Sequence, residues 1–206
     1  GVSIFLELSN DFFQYDKGDN WAGFAPSYED DLRLFSNQEE VQSIADQFGG
    51  DSFLGEFATR ENYLKQNRSY KVLHLATHAE IDNHNPLYNK LIFADGDLTA
   101  SDIYLSDTRA KMAVLSACNT GFGKLEKGEG VMSMARAFHF SGVPSVVMSL
   151  WKVPDGSTKQ IMLLFYKYLE EGNSKSVALQ KAKRDYLSRT DDPSLRHPDY
   201  WAGFVI

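Results

Sequence analysis

The sequence predicts an α/β protein, with a mostly parallel sheet flanked by helices on both faces. Short aliphatic runs alternate along the chain with longer stretches of helical period, the pattern of strands joined by crossover helices. The runs Val72-Leu73-His74-Leu75-Ala76 and Met112-Ala113-Val114-Leu115 show no polar alternation, as strands covered on both faces require, and are expected at the centre of the sheet.

In chain order, the first strand is expected at residues 3–8, on Val2-Ser3-Ile4-Phe5-Leu6, with an exposed loop at 10–26. A helix at 38–48 gathers Val41, Ile44, Ala45 and Phe48 on one face. A strand at 52–54 and a helix at 59–66 lead to the strand at 71–76. Residues 83–89 read as exposed loop, and Asp95-Gly96 between Leu91-Ile92-Phe93 and Leu98 reads as a hairpin turn. The strand at 111–116 precedes helices at 130–141, 156–171 and 175–187, a strand at 143–151 and a last short one at 202–206. Gly142 and Gly172 stand where helices end in left-handed geometry, and Ser174 stands at an N-cap position.

The 206 residues carry 21 Lys+Arg against 28 Asp+Glu, a net charge of −7, so nucleic acid and anionic membrane surfaces are disfavoured as partners. A single cysteine excludes an intrachain disulfide and points to a reducing, cytoplasmic compartment. No apolar run reaches the roughly 18–20 residues of a membrane span. One domain over 1–206 is expected. The chain starts without Met inside an apolar run, so it reads as a piece of a longer protein.

Two strand ends carry the chemistry. The strand at 71–76 runs into Thr77-His78-Ala79, and the strand at 111–116 into Ala117-Cys118-Asn119-Thr120-Gly121. Groups past the carboxyl ends of neighbouring parallel strands meet in one crevice, so His78 and Cys118 are expected to face each other. An imidazole beside a thiol is a base beside its nucleophile, and a thiolate next to imidazolium has a lowered pKa. The N–H groups of Cys118 and Ala79 are then candidates to hold an oxyanion, while Gly121 and Gly123 leave room for an extended substrate. The competing reading of Cys118 is a small core residue; the turn-like Asn-Thr-Gly that follows it argues for a site.

These segments resemble the CHAT proteases, relatives of the caspases and separases. The matching stretches are His74-Leu75-Ala76-Thr77-His78, Leu115-Ser116-Ala117-Cys118-Asn119-Thr120-Gly121, Gly128-Glu129-Gly130-Val131, Ser149-Leu150-Trp151-Lys152-Val153-Pro154-Asp155, and His197-Pro198-Asp199-Tyr200-Trp201-Ala202-Gly203-Phe204. The resemblance implies a caspase-hemoglobinase fold and a cysteine endopeptidase, with Cys118 as nucleophile, His78 as general base, and a protein or peptide substrate. It also implies helical repeats of the tetratricopeptide type upstream. By the same resemblance, Asp155 helps form an S1 pocket that favours a basic P1 residue; its other reading is an N-cap for a helix starting near Gly156. Two positions depart from the family's pattern: Ala79 where Gly is common after the histidine, and Asn119 where Glu is frequent.

No metal or organic cofactor is expected. His74 and His78 share a strand face but stand about 13 Å apart at roughly 3.3 Å per residue, too far to share an ion, and His74 reads as a hydrogen-bonded core histidine. Glu126 is a candidate groove residue, with a solvated loop charge as its alternative. The glycine-rich 124–130 segment lacks the Gly-Lys-Ser/Thr ending of a phosphate loop. The face of Met132, Ala135, Arg136 and His139 reads as core packing. His84, His139 and His197 are expected to be structural or exposed, His197 fixing the C-terminal turn. The alternative function is a catalytically silent interaction module that keeps the fold.

Overall fold

The computed structural model describes residues 21–28, 36–82, 85–116 and 129–206. Strand β1 is Trp21–Ala25, followed by helix α1 at Asn37–Phe48 and β2 at Asp51–Leu54. Helix α2 at Arg60–Gln66 leads to β3 at Val72–Leu75, and β4 (Ala79–Glu80), β5 (Lys90–Phe93) and β6 (Gly96–Thr99) follow. Helix α3 at Ala100–Leu105 precedes β7 at Met112–Leu115, then α4 at Glu129–Phe140 and β8 at Val146–Ser149. Helices α5 (Asp155–Glu170) and α6 (Lys175–Arg189) and strand β9 (Phe204–Val205) complete the described chain.

The main sheet has the order β2-β1-β3-β7-β8-β9, parallel except for β9, and places β3 and β7 at its centre as the apolar runs predict. Alternate strand residues feed two cores. Ala22, Phe24, Leu73, Leu75, Ala113 and Leu115 face the side covered by the hairpin, α3 and α4. Val72, Ala76, Met112, Val114 and Val147 face α1, α5 and α6. The β4-β5-β6 sheet is antiparallel, and the expected β5–β6 hairpin forms, but Gly96 pairs with Phe93 as the first residue of β6, so Ala94 and Asp95 make the turn in place of the expected Asp-Gly.

The expectation of a loop at 10–26 is overturned at residues 21–25. These are a fully buried strand paired on both sides, and β1 is the switch point at which the strand order reverses. Gly23 shows why so short and alanine-rich a run serves there: a Cβ would lie 2.6 Å from Val41 Cγ1 and 2.3 Å from the Trp21 ring, so α1 seats against bare backbone. The strand expected at 3–8 lies outside the described residues. The 83–89 loop is also not simply exposed: Pro86–Tyr88 forms a short 3-10 turn and Asn89 is fully buried, its side chain accepting the Asp82 N–H at 2.7 Å.

Helix ends follow the expected chemistry in most places. Thr59 accepts the Asn62 N–H, and Gly142 and Gly172 take φ of 102° and 81°. Thr99 and Asp102 form a reciprocal capping box on α3. Ser174 sits at the N-cap of α6 but makes no side-chain cap bond. On α4 the core face is Met134, Ala135, Ala137 and Phe138, while Arg136 and His139 are exposed, so the expected face is rotated; His139 instead ties its Nδ1 to the Val143 carbonyl at 2.8 Å. His197 caps the turn at Pro198–Tyr200, as expected.

Candidate functional site

The site is built at the carboxyl edge of β1, β3 and β7. Leu75 pairs with Leu115 at the ends of β3 and β7, and the Ser116 N–H reaches the Leu75 carbonyl at 3.3 Å. The chain therefore leaves both strands at one register position. His78 lies three residues past Leu75, and in the sequence Cys118 lies three past Leu115. Cys118 itself, Gly121 and Glu126 lie outside the described residues.

His78 is buried, and both its backbone polar groups are held. Its carbonyl accepts the Ile92 N–H at 2.9 Å, and its own N–H donates to the Tyr28 hydroxyl at 2.9 Å, which donates in turn to the Ile92 carbonyl at 2.8 Å. The Tyr28 ring lies 4.4 Å from the imidazole, centroid to centroid, tilted by 52°. Burial pushes the Tyr28 phenol well above its ordinary pKa, outweighing the opposing effect of the His78 N–H, so the hydroxyl keeps its proton and remains a donor.

Ala79 pairs with Leu91 between the hydrogen-bonded positions 78/92 and 80/90. Alternation along an antiparallel ladder turns its N–H away from β5. Thr77 and Ser116 flank this point with buried side-chain oxygens that have no hydrogen-bond partner among the described residues.

Asn37 stitches the same edge from below. Its Nδ2 donates to the Pro26 carbonyl at 2.9 Å and to the Ala76 carbonyl at 3.2 Å, and the Ala76 N–H donates to the Phe24 carbonyl at 2.9 Å. Tyr28 and His78 are each two residues beyond the carbonyls that Asn37 joins. Sequence reasoning misses both Asn37 and Tyr28. Tyr28 sits in the polar run Ser27-Tyr28-Glu29-Asp30-Asp31, and a helix-start asparagine carries no mark of long-range bonding.

His74 is a core histidine, as expected, in a fuller network than expected. Its Nε2 meets Glu40 Oε1 at 2.8 Å and its Nδ1 meets the Tyr166 hydroxyl at 3.0 Å, all three side chains being buried. It does not share a site with His78. Asp155 is half-buried in the first turn of α5, where the helix dipole favours a carboxylate; the N-cap position itself belongs to Pro154. The reading of Asp155 as an N-cap is thereby corrected. β8, which leads toward it, neighbours β7 on the side away from β3, so β7 lies between the strand that leads to His78 and the strand that leads to Asp155.

Among the described residues no group of His, Cys, Asp and Glu is arranged to hold a metal ion, and no helix is long and apolar enough to cross a membrane.

A mostly parallel six-stranded sheet with helices on both faces, its chemistry-bearing residues past the ends of central strands, is an α/β architecture of the caspase-like class. A family model for the CHAT domain matches residues 17–206, and the chain belongs to that family, which is related to the caspases. It is similar to human tetratricopeptide repeat protein 28, with 26% identity over 209 residues, 83% of this chain and 8% of the relative. The mouse protein of the same name is 24% identical over the same shares. The chain thus spans about 8% of the length of the curated relatives it matches.

Proposed function

We propose that this CHAT domain is a cysteine endopeptidase in which Cys118 is the nucleophile and His78 its general base. The observation that carries the reading is the β3–β7 register, which launches the His78 and Cys118 segments from paired positions with equal offsets. The imidazole takes the thiol proton, the thiolate attacks the scissile carbonyl, and a C–S bond forms as the carbonyl oxygen becomes an oxyanion. The Ala79 N–H, turned away from β5, and the Cys118 N–H receive that charge. Imidazolium then protonates the leaving amine as the C–N bond breaks, and water, deprotonated by His78, hydrolyses the thioester. The cycle uses no metal or organic cofactor.

In this reading Asp155, Gly121 and Glu126 line the groove for a protein or peptide substrate, and Asp155 favours a basic P1 residue. The domain works in a reducing, cytoplasmic setting as one part of a longer chain with helical repeats, which the repeat proteins among its relatives support. Those same relatives favour the second reading, an interaction module without turnover.

An acyloxymethyl ketone carrying Arg at P1 separates the two. Endopeptidase chemistry predicts labelling at Cys118, mapped by mass spectrometry, that His78→Ala removes. Labelling of folded wild type no faster than of the denatured thiol leaves the interaction module standing.

A further inference from the structure

The antiparallel ladder between β4 and β5 has one irregularity, and it falls at His78. Continuing the pairing of Ala79 with Leu91 makes His78 and Ile92 a hydrogen-bonded pair, in which each N–H would meet the other's carbonyl. Only one of those bonds is direct, from the Ile92 N–H to the His78 carbonyl at 2.9 Å. The other is relayed: the His78 N–H donates to the Tyr28 hydroxyl at 2.9 Å, which donates to the Ile92 carbonyl at 2.8 Å. A phenol from the segment after β1 is therefore wedged into the ladder, holding the His78 side of β4 away from β5.

We infer that Tyr28 is a positioning residue for His78, setting through this wedge and its ring contact both the direction of the imidazole and that of the Ala79 N–H. The inference rests on the His78–Cys118 reading above. Three features make the wedge specific. The hydroxyl's donor and acceptor roles are both used on main-chain groups that burial would otherwise leave costly to orphan. The ring packs on the imidazole at 4.4 Å, so backbone and side chain of one histidine are held by one tyrosine. Asn37 joins the Pro26 and Ala76 carbonyls two residues before Tyr28 and His78, so the two segments advance together from a fixed point.

Removing the hydroxyl leaves two outcomes: the 78/92 pair closes into a direct bond, swinging His78 toward β5, or a buried N–H and C=O lose their relay. Either displaces the imidazole, and displacements near 1 Å in a catalytic constellation cost up to about a hundredfold in rate.

The test is the pH dependence of iodoacetamide alkylation of Cys118 in wild type, Tyr28→Phe and His78→Ala. The expected result is a wild-type midpoint below the roughly 8.5 of a free thiol, with Tyr28→Phe moved about one unit toward it, so that its rate at a pH below both midpoints falls about tenfold. A purely structural tyrosine would lower the unfolding temperature and leave that midpoint in place. Tyr28→Phe titrating like a wild type whose midpoint is depressed overturns the inference and leaves the dyad intact. Wild type titrating like His78→Ala overturns the dyad, and this inference with it. Amide exchange on wild type checks the wedge without any variant: the His78 amide should be as protected as that of Ile92, and exchange at the rate of an exposed amide refutes the relay.

Discussion

Replacing Glu40 by Ala should be among the most damaging single changes in the domain. The Glu40 and His74 side chains are 3% and 0% exposed and meet at 2.8 Å, and the other imidazole nitrogen meets the Tyr166 hydroxyl at 3.0 Å. Neither group of the pair has water to fall back on. Breaking a buried pair by removing one partner costs about 3–5 kcal/mol, because the survivor stays buried without its complement. For a chain of this size each kcal/mol moves the melting temperature by about 2–4 °C, so calorimetry should show Tm falling by about 6–20 °C. Glu40→Gln keeps an oxygen acceptor of the same reach and should lose much less. The double exchange Glu40→Leu with His74→Leu removes both polar partners and should recover most of the loss, leaving about 1–2 kcal/mol for the Tyr166 bond to His74. A drop below about 1 kcal/mol for Glu40→Ala, or a double exchange as damaging as the single one, would mean that the buried Glu40–His74 contact contributes little to stability.

At Gly23, alanine would push a Cβ to 2.6 Å from Val41 Cγ1, so Gly23→Ala should cost about 1–3 kcal/mol in chemical denaturation; an unchanged midpoint would mean α1 does not seat on bare β1 backbone. If Asp155 lines the S1 pocket, Asp155→Asn should lower cleavage after Arg and Lys about ten- to a hundredfold in kcat/KM while Cys118 alkylation stays unchanged; an unaltered P1 profile in a peptide library removes Asp155 from the pocket. Burial works to raise the Asp102 carboxyl, but the Thr99 N–H and hydroxyl and the Arg60 guanidinium outweigh it and hold the pKa below its ordinary value. A depressed folded-state pKa stabilises above the unfolded value and is lost as pH falls through the folded one, so the stability gap between wild type and Asp102→Asn should be full at neutral pH and close in acid below the ordinary carboxylate range. A gap that persists at the acid end would contradict that linkage.

The central sheet was legible because its physics is local. Val72 to Ala76 and Met112 to Leu115 have no polar residue on either face apart from His74, and only a strand in the middle of a helix-covered sheet tolerates that. β1 was hidden for the opposite reason. Trp21-Ala22-Gly23-Phe24-Ala25 has little β propensity, and its place at the switch point depends on α1 packing against Gly23, a contact that sequence spacing does not encode. Glu40 was hidden by its neighbours, since Gln38-Glu39-Glu40 reads as a solvated first turn until His74 is brought beneath it. Of the candidate site, His78 was visible from the apolar strand that ends just before it. Tyr28 and Asn37 were not, because they act on main-chain groups 11 to 64 residues away.

The most direct test of the endopeptidase reading is cleavage itself. Wild type, Cys118→Ala and His78→Ala are each incubated under reducing conditions with a proteome-derived peptide library, and new N-termini are mapped by mass spectrometry. Endopeptidase chemistry predicts a defined set of cleavages from wild type, enriched in basic P1 residues, and none from either variant. The same cleavages from Cys118→Ala, or none from folded wild type, would contradict it.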